Sequence, residues 1–222
     1  MCGRFSCECH KKLLEMIIPS LDRSGLKHRL AIVGSAPIVE DQSNQIDGCD
    51  FVIRFNECKV YGGNSGVKVN VLCVTNTGIP SMRISVKQSI LRSGFYDLVS
   101  EIWFPRNPTV HTAYSGADFS DNSEHLIERN QLSHLKSVYF SKELNKYVFD
   151  LLEGSFHGEC NCPSTGIFGI MYVLTERRFM DYDKFLFGFG FSGYICHPWK
   201  SEEHLISHYA DTRDDLHIVS PC

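Results

Sequence analysis

The stretch LAIVGSAP, residues 30–37, is a short apolar run that ends in Gly34 and Ser35. A run of this kind is typical of a buried β-strand followed by a loop. Two further runs of strand-forming residues come next, DFVIRFN at 50–56 and VKVNVLCVTN at 67–76, each bounded by turn-forming residues. Short buried strands that follow one another in this way are typical of a parallel sheet in an α/β fold.

Outward from this stretch, helical and strand patterns alternate along the chain. The sequence predicts further strands at 101–105, 136–141, 184–191 and 216–221. It predicts helices at 10–18, 81–93, 123–132, 142–154 (with Gly154 as C-cap), 163–178 and 197–210. The polar segment 106–123, with its scattered Gly and Asn residues, is expected to be a surface loop. The alternation predicts an α/β sandwich with a mostly parallel central sheet flanked by helices.

The composition is that of an ordinary globular domain. The chain has 222 residues, of which 43% are hydrophobic and 22% charged, and these values exclude a disordered chain, a collagen-like repeat and a coiled coil. The net charge of −4 leaves no broad basic field, so no nucleic-acid partner is expected. The longest apolar runs fall far short of the roughly 20 residues that span a bilayer, so no transmembrane segment is expected in this chain.

Cysteine usage and the first residues bear on the compartment. Most of the ten cysteines stand singly among apolar neighbours, where cysteine behaves as a small hydrophobic residue, and we expect free thiols. Charged residues interrupt the start of the chain, so no signal peptide is predicted and the expected location is cytoplasmic. A zinc site is an alternative for Cys2, Cys7, Cys9 and His10, with Cys160 and Cys162, but their spacing lacks paired C-x₂-C ligands. We therefore expect no metal.

Small and polar residues end the predicted strands. The first three strands run into Gly34–Ser35, Asn56 and Asn76, and Ser164, Thr165 and Gly166 open the helix at 163–178. Because ligands of parallel sheets bind at the carboxyl ends of the strands, this rim suits a phosphorylated ligand. The same residue types also suit ordinary turns and helix caps, so the residues alone leave both explanations open.

His197 is the candidate general base. Pro198 suits the first position of a helix, which places His197 at or just before the N-cap. The helix dipole disfavours an imidazolium there, so the ring should stay neutral and able to accept a proton. Glu202 lies in the second helical turn and could anchor either the segment or the ring.

Taken in order, these motifs resemble the animal-type sialyltransferases. The long first motif of that family is matched by VGSAP, IDGCDFVIRFNE and Gly66–Val67–Lys68 leading to VLCVTN. The short second motif is matched by PSTGIFGIMYVLTE and the following FLFGF, and the last motif by His197, Pro198 and Glu202. The resemblance covers residues 30–205.

The resemblance implies a single Rossmann-like, GT-A-variant α/β domain at 30–222, after an N-terminal helical lead-in at 1–29. It implies a metal-independent, inverting glycosyltransferase that moves sialic acid, or a related CMP-activated sugar, from a CMP-sugar donor to a hydroxyl of a glycan acceptor. No cofactor is implied beyond the donor substrate, CMP-sialic acid. By the same resemblance, His197 takes the proton of the acceptor hydroxyl. The CMP site would be lined by Gly34, Ser35, Asn56 and Asn76, and the phosphate and donor would be held by Ser164, Thr165 and Gly166.

The sequence departs from the family in three places. Leu30 and Ala31 stand where the long motif usually has a cysteine that pairs with one in the short motif, which here has none. Only FSGYIC separates Gly190 from His197, where the family has a His- and Tyr-rich motif. We expect neither the family's membrane anchor nor its stem in this chain; had an anchor been truncated, the location would be the Golgi lumen.

Two other functions stay open. The shortened stretch before His197 would suit a non-catalytic nucleotide- or glycan-binding protein on the same fold. An unrelated α/β protein that binds metal through its cysteine-rich N-terminus is the third possibility.

Overall fold

The computed structural model describes residues 27–78, 95–116, 119–152 and 162–219. The helices predicted at 10–18 and 81–93, and the Gly154 cap, lie outside these residues. No helix in the described ranges is both long and apolar enough to cross a bilayer.

A parallel sheet of seven strands forms the centre of the described structure. The strands are β1 His28–Val33, β2 Phe51–Phe55, β3 Val71–Cys73, β4 Glu101–Phe104, β5 Lys136–Tyr139, β6 Tyr182–Phe187 and β7 Leu216–Ile218. Their order is β5-β4-β3-β2-β1-β6-β7, and all pairs are parallel. The predicted α/β class with its central parallel sheet is confirmed. Since the order reverses direction between β1 and β6, a crevice is expected at the carboxyl ends of these two strands.

Helices cover both faces of the sheet. They are α1 Ser43–Asp47, α2 Phe95–Leu98, α3 Pro108–Ser115, α4 Ser123–Arg129, α5 Lys142–Leu151, α6 Thr165–Thr175 and α7 Trp199–Thr212, with short 3₁₀ turns at Gly63–Ser65 and Arg177–Phe179. Alternate residues of each strand point to opposite faces. On β3, Val71 and Cys73 pack with α5, α6 and α7, while Leu72 packs on the other face with α2 and α4. We call the first of these the α6 face.

Helix α6 lies against the middle of the sheet. Eight of its eleven residues are buried, so it is apolar on nearly every side. Gly169 lets it approach closely, because a Cβ there would lie 2.6 Å from the Phe55 ring. The start of α6 is thereby held at the carboxyl edge of β2 and β3.

The prediction of a surface loop over 106–123 is wrong for its first half. Residues 108–115 form α3, whose N-cap Asn107 accepts a hydrogen bond from the backbone N–H of Val110. Pro108 occupies the start of this helix, where its missing N–H costs nothing, so it begins a helix as well as following a strand. His111 of α3 is fully buried, which a surface loop would not have placed there.

Gly34 closes the junction between β1 and β6. Its N–H donates to the carbonyl of Phe187, and the N–H of Ala36 donates to the carbonyl of Gly188. A Cβ at Gly34 would lie 2.4 Å from the Gly188 oxygen, a backbone atom already held by a hydrogen bond. This contact explains the glycine without any ligand.

Replacing Gly34 by alanine is expected to lower the free energy of unfolding by about 3 kcal/mol, because the added methyl overpacks two backbone segments. Urea unfolding monitored by circular dichroism measures the change. Ser35→Ala is the matched control, since Ser35 is the exposed neighbour and should shift the midpoint little. Equal midpoints for Gly34→Ala and the control would contradict the packing explanation.

Candidate active site

Hydrogen bonds tie the carboxyl ends of β2, β3 and β4 together. Asn56 adopts a left-handed conformation with φ of 49°, and its Oδ1 accepts the N–H of Thr75 at 2.9 Å. Asn76 is fully buried and bonds with Arg106 in both directions: its Nδ2 donates to the Arg106 carbonyl and its Oδ1 accepts the Arg106 N–H. Asn76 Nδ2 also donates to the carboxylate of Asp121. The predicted site residues Asn56 and Asn76 therefore both serve as connectors between loops.

Arg106 extends this network to the start of α6. Its side chain is buried, and Nη2 donates to the carbonyl of Pro163 at 3.2 Å. Pro163 directly precedes Ser164, the N-cap of α6. The guanidinium of Arg106 therefore lies beside the segment that opens this helix.

Glu202 of α7 is hydrogen-bonded to Ser164, the N-cap of α6. Its Oε1 accepts the Ser164 N–H at 2.7 Å, and its Oε2 lies 2.6 Å from Ser164 Oγ, which in turn accepts the N–H of Ile167. Burial raises the pKa of Glu202 to about 7, against the hydrogen bonds from Ser164 and the charge of Arg106. The sequence predicted that Glu202 anchors its own segment or the His197 ring, and in the structure its carboxyl group binds Ser164 at the start of α6. Ser164 is thus already bonded to a carboxylate of its own chain.

His197 is fixed by a backbone carbonyl. Its Nδ1 lies 2.6 Å from the carbonyl oxygen of Cys162, which can only accept, so Nδ1 carries the proton. In the neutral ring Nε2 is then the basic nitrogen. The residue precedes Pro198, which is the N-cap of α7 and not its first helical residue, one position from the prediction. His197 and Glu202 thus both bind the segment 162–164.

The ring of His197 is held in its neutral form. Burial lowers its pKa to about 4; the charge of Arg106 lowers it as well, and the hydrogen bond to Cys162 opposes the shift. The neutrality expected from the helix dipole is thus reached mainly through burial. The ring also makes edge contacts with Tyr194 and Trp199.

Gly34 and Gly166 flank one aromatic ring. A Cβ built on Gly34 would meet Phe189 at 3.3 Å, and one built on Gly166 would meet it at 3.1 Å. The end of β1 and the start of α6 therefore both contact the phenyl ring of Phe189 and lie on either side of it.

The polar groups that remain for a ligand are fewer than the sequence predicted. Ser35 is exposed, Thr165 and Gly166 present the first N–H groups of α6, and Asn56 keeps its Nδ2 hydrogens. The structure brings Asn56, Asn76, Ser164, His197 and Glu202 into one connected network, with Gly34 and Gly166 beside it at Phe189. Their predicted contacts with a nucleotide stay predictions.

Sequence reasoning missed Arg106, Cys162 and Thr75, which complete this network. Arg106 directly follows the strand predicted at 101–105, and a charged residue at the end of a buried strand was a signal that it belongs to the site. Cys162 contributes its backbone carbonyl, and a carbonyl leaves no trace in a sequence.

The described residues contain no group of three or more His, Cys, Asp or Glu side chains arranged to hold a metal ion. The candidate zinc ligands at 2–10, and Cys160, lie outside the described ranges. Five cysteines within those ranges are free thiols, namely Cys49, Cys58, Cys73, Cys162 and Cys196.

His197 is expected to titrate near pH 4, not near the ordinary value of 6.5. Because its pKa is lowered, the neutral form should persist throughout the range from pH 5 to 8. NMR titration of ¹³C-labelled histidine, assigned with a His197→Gln variant, measures the midpoint. A midpoint for His197 close to 6.5 would contradict the burial of the ring.

Comparison with known proteins establishes the fold. No family model matches the chain. A urease operon 23 kDa accessory protein of Rhizobium meliloti (strain 1021) is 25% identical over 187 residues, which cover 80% of this chain and 86% of that protein. A crystal structure of a mammalian sialyltransferase matches with a TM-score of 0.58 at 20% identity, over 96% of this chain and 78% of the other.

A second structure, a mammalian sialyltransferase in complex with Gal-beta-1-3GalNAc-ortho-nitrophenol, matches with a TM-score of 0.53 at 20% identity, over 94% of this chain and 77% of the other. The chain therefore has an α/β fold similar to that of sialyltransferases, as its motifs implied. At this identity the similarity concerns the fold, and the activity requires its own argument.

Proposed function

We propose that this chain is a sialyltransferase-like, metal-independent, inverting glycosyltransferase. It would move sialic acid, or a related CMP-activated sugar, from a CMP-sugar to a hydroxyl of a glycan. The order of its three motifs and the sialyltransferase-like fold support this proposal.

The observation that carries the proposal is the state of His197. A general base needs a neutral ring, a defined tautomer and a basic nitrogen at the ligand-binding edge of the fold. The Cys162 carbonyl holds the ring proton on Nδ1 and leaves Nε2 as the basic nitrogen, and His197 lies on the segment that runs from the carboxyl end of β6 to the start of α7. In the proposed reaction Nε2 takes the proton of the acceptor hydroxyl. The hydroxyl oxygen attacks the anomeric carbon of the donor sugar, and CMP leaves.

The start of α6 is the proposed position for the departing phosphate. The N–H groups of Thr165 and Gly166 and the helix dipole favour a negative charge at this end. Stabilising the charge that develops on the leaving group lowers the barrier to transfer. Glu202 acts here as a positioning residue, since it holds both the N-cap of α6 and the helix that follows His197.

The test is incubation of the purified protein with CMP-sialic acid and a mixture of galactose- and N-acetylgalactosamine-terminated acceptors in the presence of EDTA. We expect release of CMP that depends on acceptor, together with a mass increase of one sialic acid on the acceptor. NMR of the product gives the anomeric configuration. Absence of CMP release with every acceptor would overturn the proposed activity.

A non-catalytic nucleotide- or glycan-binding role is the second candidate. The short segment between Gly190 and His197 favours it, as does the naming of the Rhizobium meliloti relative as an accessory protein. CMP binding in calorimetry without CMP release in the transfer assay would select this role.

A further inference from the structure

Buried polar atoms without partners concentrate beside the proposed site. Within the described ranges, five buried side-chain nitrogen or oxygen atoms lack a hydrogen-bond partner, those of Thr75, Thr77, Tyr96, Arg106 and His111. All but Tyr96 lie on the loops and helix that follow β3 and β4. Since buried polar groups are nearly always paired, these atoms would bond favourably with a polar group of a ligand that reached them.

The four atoms belong to segments that touch one another. Thr75 and Thr77 flank Asn76, whose side chain makes two hydrogen bonds with the backbone of Arg106. The Arg106 side chain reaches the Pro163 carbonyl, and the ring of His111 packs 5.3 Å from that of Phe168 in α6. The cluster therefore lies on the α6 face, next to the start of α6.

The charge of Arg106 is buried. Its side chain is only 7% exposed, and no carboxylate of the described residues forms an ion pair with it. A buried charge without a partner is costly, so an anion that reached it would be bound favourably. The charge of Arg106 also acts on His197 and Glu202, which places it within electrostatic range of both.

Ser164 is a poor alternative for holding that anion. The Glu202 carboxylate already accepts its N–H, and its Oγ is bonded to both Glu202 and Ile167. Thr77 and His111 are fully buried, whereas Thr75 and Arg106 each keep a small exposed fraction, 6% and 7%. Of the four side chains, Thr75 and Arg106 are therefore the ones that a ligand can reach.

We propose that the Arg106 guanidinium and the Thr75 hydroxyl form an oxyanion subsite beside the start of α6. Its ligand is an anionic group of the donor, either the phosphate of the nucleotide or the carboxylate of the sugar. This subsite rests on the proposed function, because it deepens the binding of a CMP-sugar. In this subsite the positive charge that balances the anionic donor comes from Arg106, which lies outside the three motifs.

The test is calorimetric titration of the purified chain with CMP, cytidine and free sialic acid. We compare the wild type with Arg106→Gln, which removes the charge, Arg106→Lys, which keeps it, and Thr75→Val, which removes only the hydroxyl. Arg178→Gln is the matched control, since Arg178 pairs with Glu101 and lies outside the proposed site. Thermal unfolding of every variant reports on the fold.

Arg106→Gln should weaken CMP binding by about 10- to 100-fold, because a charge-assisted hydrogen bond to the anion is lost. The affinity for cytidine, which has no phosphate, should change by less than about twofold. Arg106→Lys should retain most of the affinity. Thr75→Val should raise the melting temperature without ligand, since an unpartnered hydroxyl becomes a methyl, yet weaken CMP binding by about 5-fold. A loss confined to free sialic acid would identify the carboxylate as the anion.

Three results would overturn the subsite. The first is unchanged binding of CMP and sialic acid in both Arg106→Gln and Thr75→Val. The second is an equal loss for cytidine and CMP, which would show a structural role. A wild type that binds none of the three ligands would overturn the proposed function and this subsite together, and is distinguishable from the first two. Should Arg106→Gln fail to fold, the CMP affinities of Arg106→Lys and Thr75→Val still distinguish a binding role of these side chains from a purely structural one.

Discussion

The His197→Ala variant is expected to lose transfer activity by about 10²- to 10⁴-fold, the range that a positioned general base contributes. The reason is local: alanine removes Nε2, the basic nitrogen that the Cys162 carbonyl leaves available on the neutral ring. Initial rates of CMP release from CMP-sialic acid, measured at saturating acceptor, report the change. CMP affinity, measured separately by calorimetry, should change by less than about 5-fold, since transfer and donor binding are different interactions.

His204→Ala is the matched control for this variant. His204 is exposed on α7, the helix that follows His197, and has no place in the proposed site, so its replacement should leave the rate unchanged. Turnover of His197→Ala at the wild-type rate would remove His197 from the role of base. A loss of rate that is accompanied by a large fall in melting temperature would instead show that the ring is needed for folding.

The strands were predictable because each is a short apolar run bounded by turn-forming residues. β1, β2 and β6 all lie within the ranges that their sequences predicted or begin within two residues of them. The helix at Pro108–Ser115 was missed because polar residues and two prolines, at 105 and 108, indicate a loop as readily as a helix start. Its burial depends on His111 packing against Phe149 and Phe168, contacts that only the tertiary structure provides.

The site was harder to predict than the fold, for a physical reason. Glycine, serine and asparagine at strand ends satisfy either a ligand or the backbone, and the sequence pattern is the same in both cases. Gly34 is explained by its contact with Gly188, and Asn76 by its bonds to Arg106. Ser164 and Glu202 are 38 residues apart, and no sequence pattern indicated their pairing.

Glu202→Ala is expected to lower the free energy of unfolding by about 3 kcal/mol, because the carboxylate is buried and joins two helices. Its removal leaves the Ser164 N–H without an acceptor and opens a space between α6 and the start of α7. Activity should fall with it, since the segment 162–164 also holds His197. Urea unfolding measures the stability, with Glu203→Ala, an exposed neighbour, as the control.

The conservative variant Glu202→Gln separates shape from charge. Glutamine can accept the Ser164 N–H and donate to Ser164 Oγ, so the helices should stay joined. In the wild type, burial raises the pKa of Glu202 from 4.5 to about 7, so between these values the folded state keeps a proton that the unfolded state has lost. Stability therefore falls as pH rises through this window, by on the order of 3 kcal/mol.

This falling contribution should be absent from Glu202→Gln, which has no proton to lose. The difference in unfolding free energy between wild type and Glu202→Gln should thus shrink from pH 4.5 to pH 7 and stay constant above it. His197, whose pKa is lowered, contributes the opposite slope below pH 6.5, but it is present in both proteins and cancels in the difference. If the difference in unfolding free energy were independent of pH, Glu202 would be ionised in the folded protein. The N-cap of α6 would then carry a full negative charge beside the proposed donor site.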